Sequence, residues 1–178
     1  MTLSRRAFLG SAAAAAGGAL VIGFSYRNRF HFGKGAATPE KPRENPFEAW
    51  IHIKQDSSAD LVFAQSEMGQ GVYTALPMLL ADEADLDWDR VKIVQSDFSR
   101  GTGGSGSVTS NYDNLRRAGA VVRTTMVAAA AQRWGVSATE CKASKSAVLH
   151  EASGQRASYG ELVDDARRMP LPDPATVN

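Results

Sequence analysis

Ala49, Ile51 and Ile53 alternate with Trp50, His52 and Lys54, the period-two pattern of a half-buried strand. Asp56 to Asp60 supplies turn chemistry and Asp60 to Gln65 resumes an apolar extended run, so a β-hairpin is predicted. The period then becomes helical. Val72, Leu76, Leu79, Leu80 and Ala84 recur on one side, with Asp82, Glu83 and Asp85 left to water, which predicts an amphipathic helix. Pro77 lacks an N–H and disfavours a helical residue before it. The first regular turn is therefore expected close to Pro77, leaving unpaired N–H groups between Gly69 and Thr74.

Arg90 to Gln95 reads as another extended segment, followed by a long, small and polar stretch, SDFSRGTGGSGSVTSNYD, over residues 96–113. Leu115, Ala118, Gly119, Val122, Met126, Ala129 and Arg133 then trace one face of a second helix, with Asn111 or Asp113 placed to cap it. Cys141 to Ala143 and Ala147 to His150 are short extended pieces. Ser153 and Gly154 form a turn, and a short helix is expected from Tyr159 to Arg168. Strands alternating with helices predict a mixed α/β (α+β) layer architecture.

The 178 residues, 43% hydrophobic and 22% charged, fit about one domain. A formal net charge of +1 argues against nucleic acid as a partner, because neutralising phosphates needs a basic surface. Ser4-Arg5-Arg6-Ala7-Phe8-Leu9-Gly10, followed by an Ala/Gly-rich apolar stretch to Phe24, reads as a twin-arginine export signal. The expected organisation is a signal segment over residues 1–37, a Pro- and charge-rich linker over 38–46, and the domain over 47–178. The apolar stretch is shorter than the roughly 20 residues of a spanning helix, and Gly17, Gly18 and Gly23 interrupt it. A periplasmic location is expected, with cleavage of the signal or its retention as a membrane tether both left open. Cys141 is the single cysteine, so this chain has neither an internal disulfide nor a cysteine-ligated iron–sulfur cluster.

Two stretches carry candidate chemistry. In Met68-Gly69-Gln70-Gly71 the glycines let a flat group approach the main chain, and Gln70 offers both donors and an acceptor. Before the second helix, Ser105, Ser107, Thr109 and Ser110 lie among Gly103, Gly104 and Gly106, a set of hydroxyls and free N–H groups suited to phosphate. Neither stretch has the spacing of an ATP-binding or a dinucleotide-binding glycine loop. The other polar residues have plainer readings. His31, His52 and His150 are too far apart along the chain to suggest a metal set, and the acidic run 81–89 lacks calcium-loop spacing. Arg116, Arg117 and Arg123 suit a solvated helix face better than a reach toward a dinucleotide phosphate, the three tryptophans suit packing, and Cys141 suits a small buried site.

EMGQGVYTALPMLLADEADLDWDRVKIVQ, the Gly/Ser stretch, SNYDNLRRAGAVVRTTMVAAAAQRWGV, VLHEASGQRASYGELV and LPDPATV together resemble the molybdopterin-binding large subunit of the xanthine dehydrogenase and aldehyde oxidase family. The branch is that of isoquinoline 1-oxidoreductase beta subunits and membrane-associated aldehyde dehydrogenase large subunits. The resemblance implies that Met68, Gly69, Gln70 and Gly71 meet the pterin and the metal's ligands, and that Ser105, Ser107, Thr109 and Ser110 help to hold a molybdopterin cytosine dinucleotide. It also implies a [2Fe-2S] partner subunit, a cytochrome c subunit, and oxidation of a small aldehyde or hydroxylation of an N-heterocycle with water as oxygen source. The family's Gly-Gly-x-Phe-Gly-Gly-type loop and its catalytic glutamate have no counterpart here. Glu67, Glu83 and Glu161 are not substitutes for that glutamate, and no catalytic or metal-ligating residue is assigned. These residues are therefore expected to be the N-terminal portion of a longer large subunit, or a split subunit that needs the remainder. The alternative is a stand-alone exported module that binds a cofactor or a partner without catalysis.

Overall fold

The computed structural model describes residues 20–24, 49–100, 102–173 and 176–177, with 20–24, 49–50 and 97–100 described as backbone. The arginine pair, His31 and the linker lie outside the described residues. The first sheet contains β1 (Leu20–Phe24), β2 (Ala49–Ile53), β3 (Ala59–Gln65) and β4 (Val91–Arg100), in that spatial order. β1 and β2 pair antiparallel, β2 and β3 form the expected hairpin, and β3 and β4 run parallel. The strand β1 falls within the stretch assigned from sequence to the export signal. Its Leu-Val-Ile-Gly-Phe run suits a strand as well as a short apolar helix, and periodicity alone does not separate the two.

Parallel neighbours need a crossover, and α1 (Val72–Glu83) supplies it between β3 and β4. The helix begins five residues before Pro77, which corrects the expectation of irregular chain up to that proline. Val72, Leu76, Pro77, Leu80 and Ala81 all become buried, and burial of that face outweighs the backbone hydrogen bond that Pro77 cannot make. β4 likewise continues to Arg100 instead of ending near Gln95. Between the register pairs Phe63–Gln95 and Gln65–Arg100, β4 advances five residues against two of β3, so β4 bulges at the carboxyl end of the parallel pair.

The second long helix, α2 (Ser107–Trp134), packs along α1. Its N-cap is Gly106, not Asn111 or Asp113 as the sequence suggested; Asn111 instead donates from Nδ2 to the Ser107 carbonyl one turn back, at 2.6 Å. At the crossing, Gly119 sits directly against Leu80, Glu83 and Ala84. One turn to either side, Arg116 and Arg123 each reach the Glu83 carboxylate at 3.0 Å. Arg123 also donates to the Glu83 carbonyl at 2.8 Å, meeting one of the unpaired C-terminal carbonyls of α1. These arginines therefore staple two helices, which the reading of a solvated face did not foresee.

A second sheet of β5 (Cys141–Ser144), β6 (Ala147–His150) and β7 (Gln155–Ser158) is antiparallel throughout and packs on α2. The final helix, α3 (Tyr159–Ala166), starts at Ser158 with a reciprocal cap: Glu161 N–H donates to Ser158 Oγ, and Ser158 N–H donates to Glu161 Oε2. Buried Tyr159 ties this unit to the end of α1, donating from its hydroxyl to the Ala84 carbonyl at 2.9 Å. Ile51, Ile53, Leu61, Phe63, Leu76, Leu80, Val121, Met126 and Leu162 fill one core between the first sheet and the helices. Of the tryptophans, Trp134 is half-buried against that core and Trp88 is exposed.

Candidate functional site

Two parallel strands, each followed by a helix, bring their connecting loops to the same edge of a sheet. In open α/β sheets that edge is where ligands collect. Here β3 ends at Gln65 and leads through residues 66–71 into α1, while β4 ends at Arg100 and leads through residues 101–106 into α2. The loops meet where the Thr102 hydroxyl lies 4.0 Å from Met68 Sδ. Glu83, at the other end of α1, lies beside Arg116 and Arg123. The two helices therefore run in the same direction, with their N-termini side by side.

Gly69 and Gly71 both adopt positive φ, +91° and +81°, and a Cβ at either would meet no atom within 4 Å. Gly103 and Gly104 face equally open space, Gly104 at φ +74°. The backbone of both loops is thus bare to a flat group approaching from outside, as anticipated for glycine at these positions. Met68 is 71% exposed, unusual for so large an apolar side chain, and lies over this edge.

The hydrogen bonding of the first loop departs from expectation. Instead of standing free, the N–H groups of Gly69 and Gly71 donate to Glu67 Oε1 at 2.7 and 3.1 Å, and that of Tyr73 donates to Oε2 at 3.0 Å. These bonds, led by those from Tyr73 and Gly71, hold the Glu67 carboxyl below its ordinary range. Gln70 folds over its own loop, accepting from Met68 N–H at 2.5 Å and donating to the Ser66 carbonyl at 2.7 Å.

The second loop is different. Gly106 caps α2 with no side chain on the first-turn N–H groups. Ser105 lies in the loop at φ +53°, whereas Ser107, Thr109 and Ser110 belong to the first turn of the helix. No hydroxyl among these four residues takes a hydrogen-bond partner among the described residues. The serine-rich stretch is therefore partly helix, because the β4 extension and the early start of α2 shorten the loop expected over residues 96–113.

Two polar atoms beside the first loop also lack partners. Gln65 is almost fully buried with Oε1 unsatisfied, and the Tyr73 hydroxyl is buried and unsatisfied at the start of α1. Neither was singled out from sequence, since a Gln in an apolar strand and a Tyr in a helix are ordinary in pattern. Elsewhere His150 accepts from or donates to Ser153 Oγ through Nδ1 at 2.7 Å, Cys141 is partly buried, and no cluster of metal-ligating side chains occurs among the described residues. In the acidic run 81–89, Glu83 makes the helix staple, Asp82 and Asp89 are exposed, and Asp85 and Asp87 are half-buried.

Open glycine backbone, the Gln70 amide and a second helix entrance without a side-chain cap thus lie together at this edge. The edge offers chemistry for a ligand with a flat, amide-like edge and an anionic arm. Residues 12–176 match the model of the molybdopterin cofactor-binding domain, and the chain belongs to that family. It is 37% identical over 139 residues to the isoquinoline 1-oxidoreductase subunit beta of Brevundimonas diminuta, covering 71% of this chain and 18% of that protein. A 37% identity over 129 residues relates it to the membrane-bound aldehyde dehydrogenase [pyrroloquinoline-quinone] of Gluconacetobacter polyoxogenes, covering 68% of this chain and 16% of that one. The chain thus spans less than a fifth of the length of either relative. In fold it is similar to quinoline 2-oxidoreductase from Pseudomonas putida 86, with a TM-score of 0.53 and 19% identity over 70% of this chain and 17% of that one. A second similar fold is CO dehydrogenase from Oligotropha carboxidovorans, with a TM-score of 0.53 and 18% identity over 63% of this chain and 15% of that one.

Proposed function

We propose that these residues form the pterin-holding portion of an exported molybdenum hydroxylase large subunit that oxidises aldehydes or hydroxylates N-heterocycles with water as oxygen source. The observation that carries this reading is the meeting of two glycine-rich loops, at Met68 and Thr102, on the carboxyl edge of the parallel strands β3 and β4. Membership of the molybdopterin-binding family and the names of the two oxidoreductase relatives support it. Gly69, Gln70 and Gly71 would lie against the pterin edge with Met68 beside it. Ser105, Ser107, Thr109 and Ser110, with the first-turn N–H groups of α2, would take the dinucleotide arm, proposed as the cytosine form. Bound molybdenum supplies the redox centre. This chain's part in the proposal is to bind and orient, with the acid–base group supplied from outside these residues.

Electrons would leave through a partner subunit carrying [2Fe-2S] clusters and a cytochrome c subunit. The Arg5–Arg6 segment would direct the folded protein to the periplasm, where it stays soluble or membrane-associated. By this reading the polypeptide isolated with this N-terminus is several times larger than 19.0 kDa, or associates with a chain that completes it. Intact mass and native mass decide between these.

The functional test is metal and pterin analysis of the complete protein purified from its source, with turnover measured on an aldehyde and on an N-heterocycle. Molybdenum and pterin in equal amounts are expected, and Gln70→Ala should lower turnover sharply. A protein that carries a quinone and no molybdenum overturns the reading. Unchanged turnover and molybdenum content in Gln70→Ala removes Gln70 from the site.

A further inference from the structure

The first loop is organised by a residue outside the glycine motif. Counting donors from Met68 to Tyr73, alternate N–H groups turn to one carboxylate: Gly69, Gly71 and Tyr73 all donate to Glu67, at 2.7, 3.1 and 3.0 Å. The intervening Gln70 bridges the loop's base through Met68 N–H and the Ser66 carbonyl. Gly69 and Gly71 hold the left-handed conformations on either side of Gln70, so the backbone that aims the Gln70 side chain is the backbone that Glu67 grips. The carboxylate also lies at the positive end of α1, where charge and donors would otherwise attract an anion.

We infer that Glu67 is a positioning residue: it clamps the loop so that Gln70 meets a neutral ligand edge, and it closes the α1 entrance to competing anions. This rests on the pterin reading above. Glu67 itself touches no ligand in this scheme. It differs in this from Gln70, whose amide keeps a second N–H and a second lone pair for a ligand beside its bonds with Met68 and Ser66.

A neutral amide in place of the carboxylate offers one acceptor oxygen where two are used, so Glu67→Gln retains part of the clamp and Glu67→Ala none. The test uses the complete protein as wild type, Glu67→Gln, Glu67→Ala, Gln70→Ala and the Glu67→Ala/Gln70→Ala double variant. Hydrogen exchange at the amides of Gly69, Gly71 and Tyr73 is measured beside pterin content and the urea midpoint. The expected result for Glu67→Ala is exchange at least about tenfold faster at those amides, with at most a small fall in the urea midpoint because the loop lies outside the core. Pterin content should fall in the order wild type, Glu67→Gln, Glu67→Ala. The double variant should lose no more pterin than the worse single one, since both residues act through one loop. Wild-type protein with pterin but unaltered loop exchange in Glu67→Ala, or additive losses in the double variant, overturns the clamp and leaves the pterin reading standing. Wild-type protein free of pterin overturns the pterin reading and the clamp's role in it together.

Discussion

Gly119 sets the distance between α1 and α2, and through it the spacing of the two loops at their N-termini. A Cβ there would fall 2.7 Å from Glu83 Cβ, 2.7 Å from the Leu80 carbonyl oxygen and 2.9 Å from the Ala84 nitrogen. Favourable contact between heavy atoms lies near ~3.5 Å or beyond, so Gly119→Ala forces the helices apart by roughly 0.8 Å. Two of the three atoms are main chain, and no change of rotamer relieves them. Overpacking of this kind costs about 1–3 kcal/mol, offset by about 1 kcal/mol gained when alanine replaces glycine inside a helix. The net expectation is a loss of about 1 kcal/mol for Gly119→Ala. Gly119→Val should lose more, because its branched side chain adds bulk and recovers less helix propensity. Urea unfolding followed by circular dichroism reads this as a lower midpoint with an unchanged slope. A Gly119→Ala protein as stable as wild type, or more so, would refute the close approach of these helices.

Other expectations follow from single contacts. Removing the hydroxyl in Tyr159→Phe strips the buried Ala84 carbonyl of its 2.9 Å donor and should cost about 1–2 kcal/mol; a thermal midpoint equal to wild type would show that water replaces the group. The carboxyl of Glu67 is held below the ordinary value of 4.5 by the N–H groups of Tyr73 and Gly71. A depressed folded value means that its contribution is complete above 4.5 and is lost as pH falls through the lower folded value. Loop amide protection should therefore persist from neutral pH down to 4.5 and decay only below it, and Glu67→Gln should abolish that dependence. Decay already complete above 4.5 would contradict the clamp geometry.

Much of the fold is written in periodicity. The β2–β3 hairpin, the apolar face of α1 and the Leu115-to-Ala129 face of α2 follow directly from spacing, because each buries one side against the same core. Element ends are set by other forces. Burial of Val72 and Leu76 carries α1 back past Pro77, and pairing with β3 carries β4 through a polar run to Arg100. The turn between β5 and β6 places Lys145 and Ser146 at φ +46° and +53° without any glycine to announce it, and β7 has only Ala157 buried in an otherwise polar segment. Strand β1 lies in residues whose composition also fits an export signal. Within the proposed site, glycine and glutamine stand out in sequence for backbone freedom and a two-sided amide, and the positive φ of Gly69 and Gly71 agrees with the first of these. Glu67 was not, since a charged residue before a glycine loop looks like a solvated one until its three donors are seen. Nor were Gln65 and Tyr73, whose significance lies in an unsatisfied atom that no pattern records.

Hydrogen exchange on the complete protein with and without its pterin asks whether both loops hold one ligand. Protection gained together over residues 66–71 and 102–110, with the second sheet unchanged, is the expected result. Protection at only one loop, or at neither, would mean that the edge of β3 and β4 is not where the pterin lies.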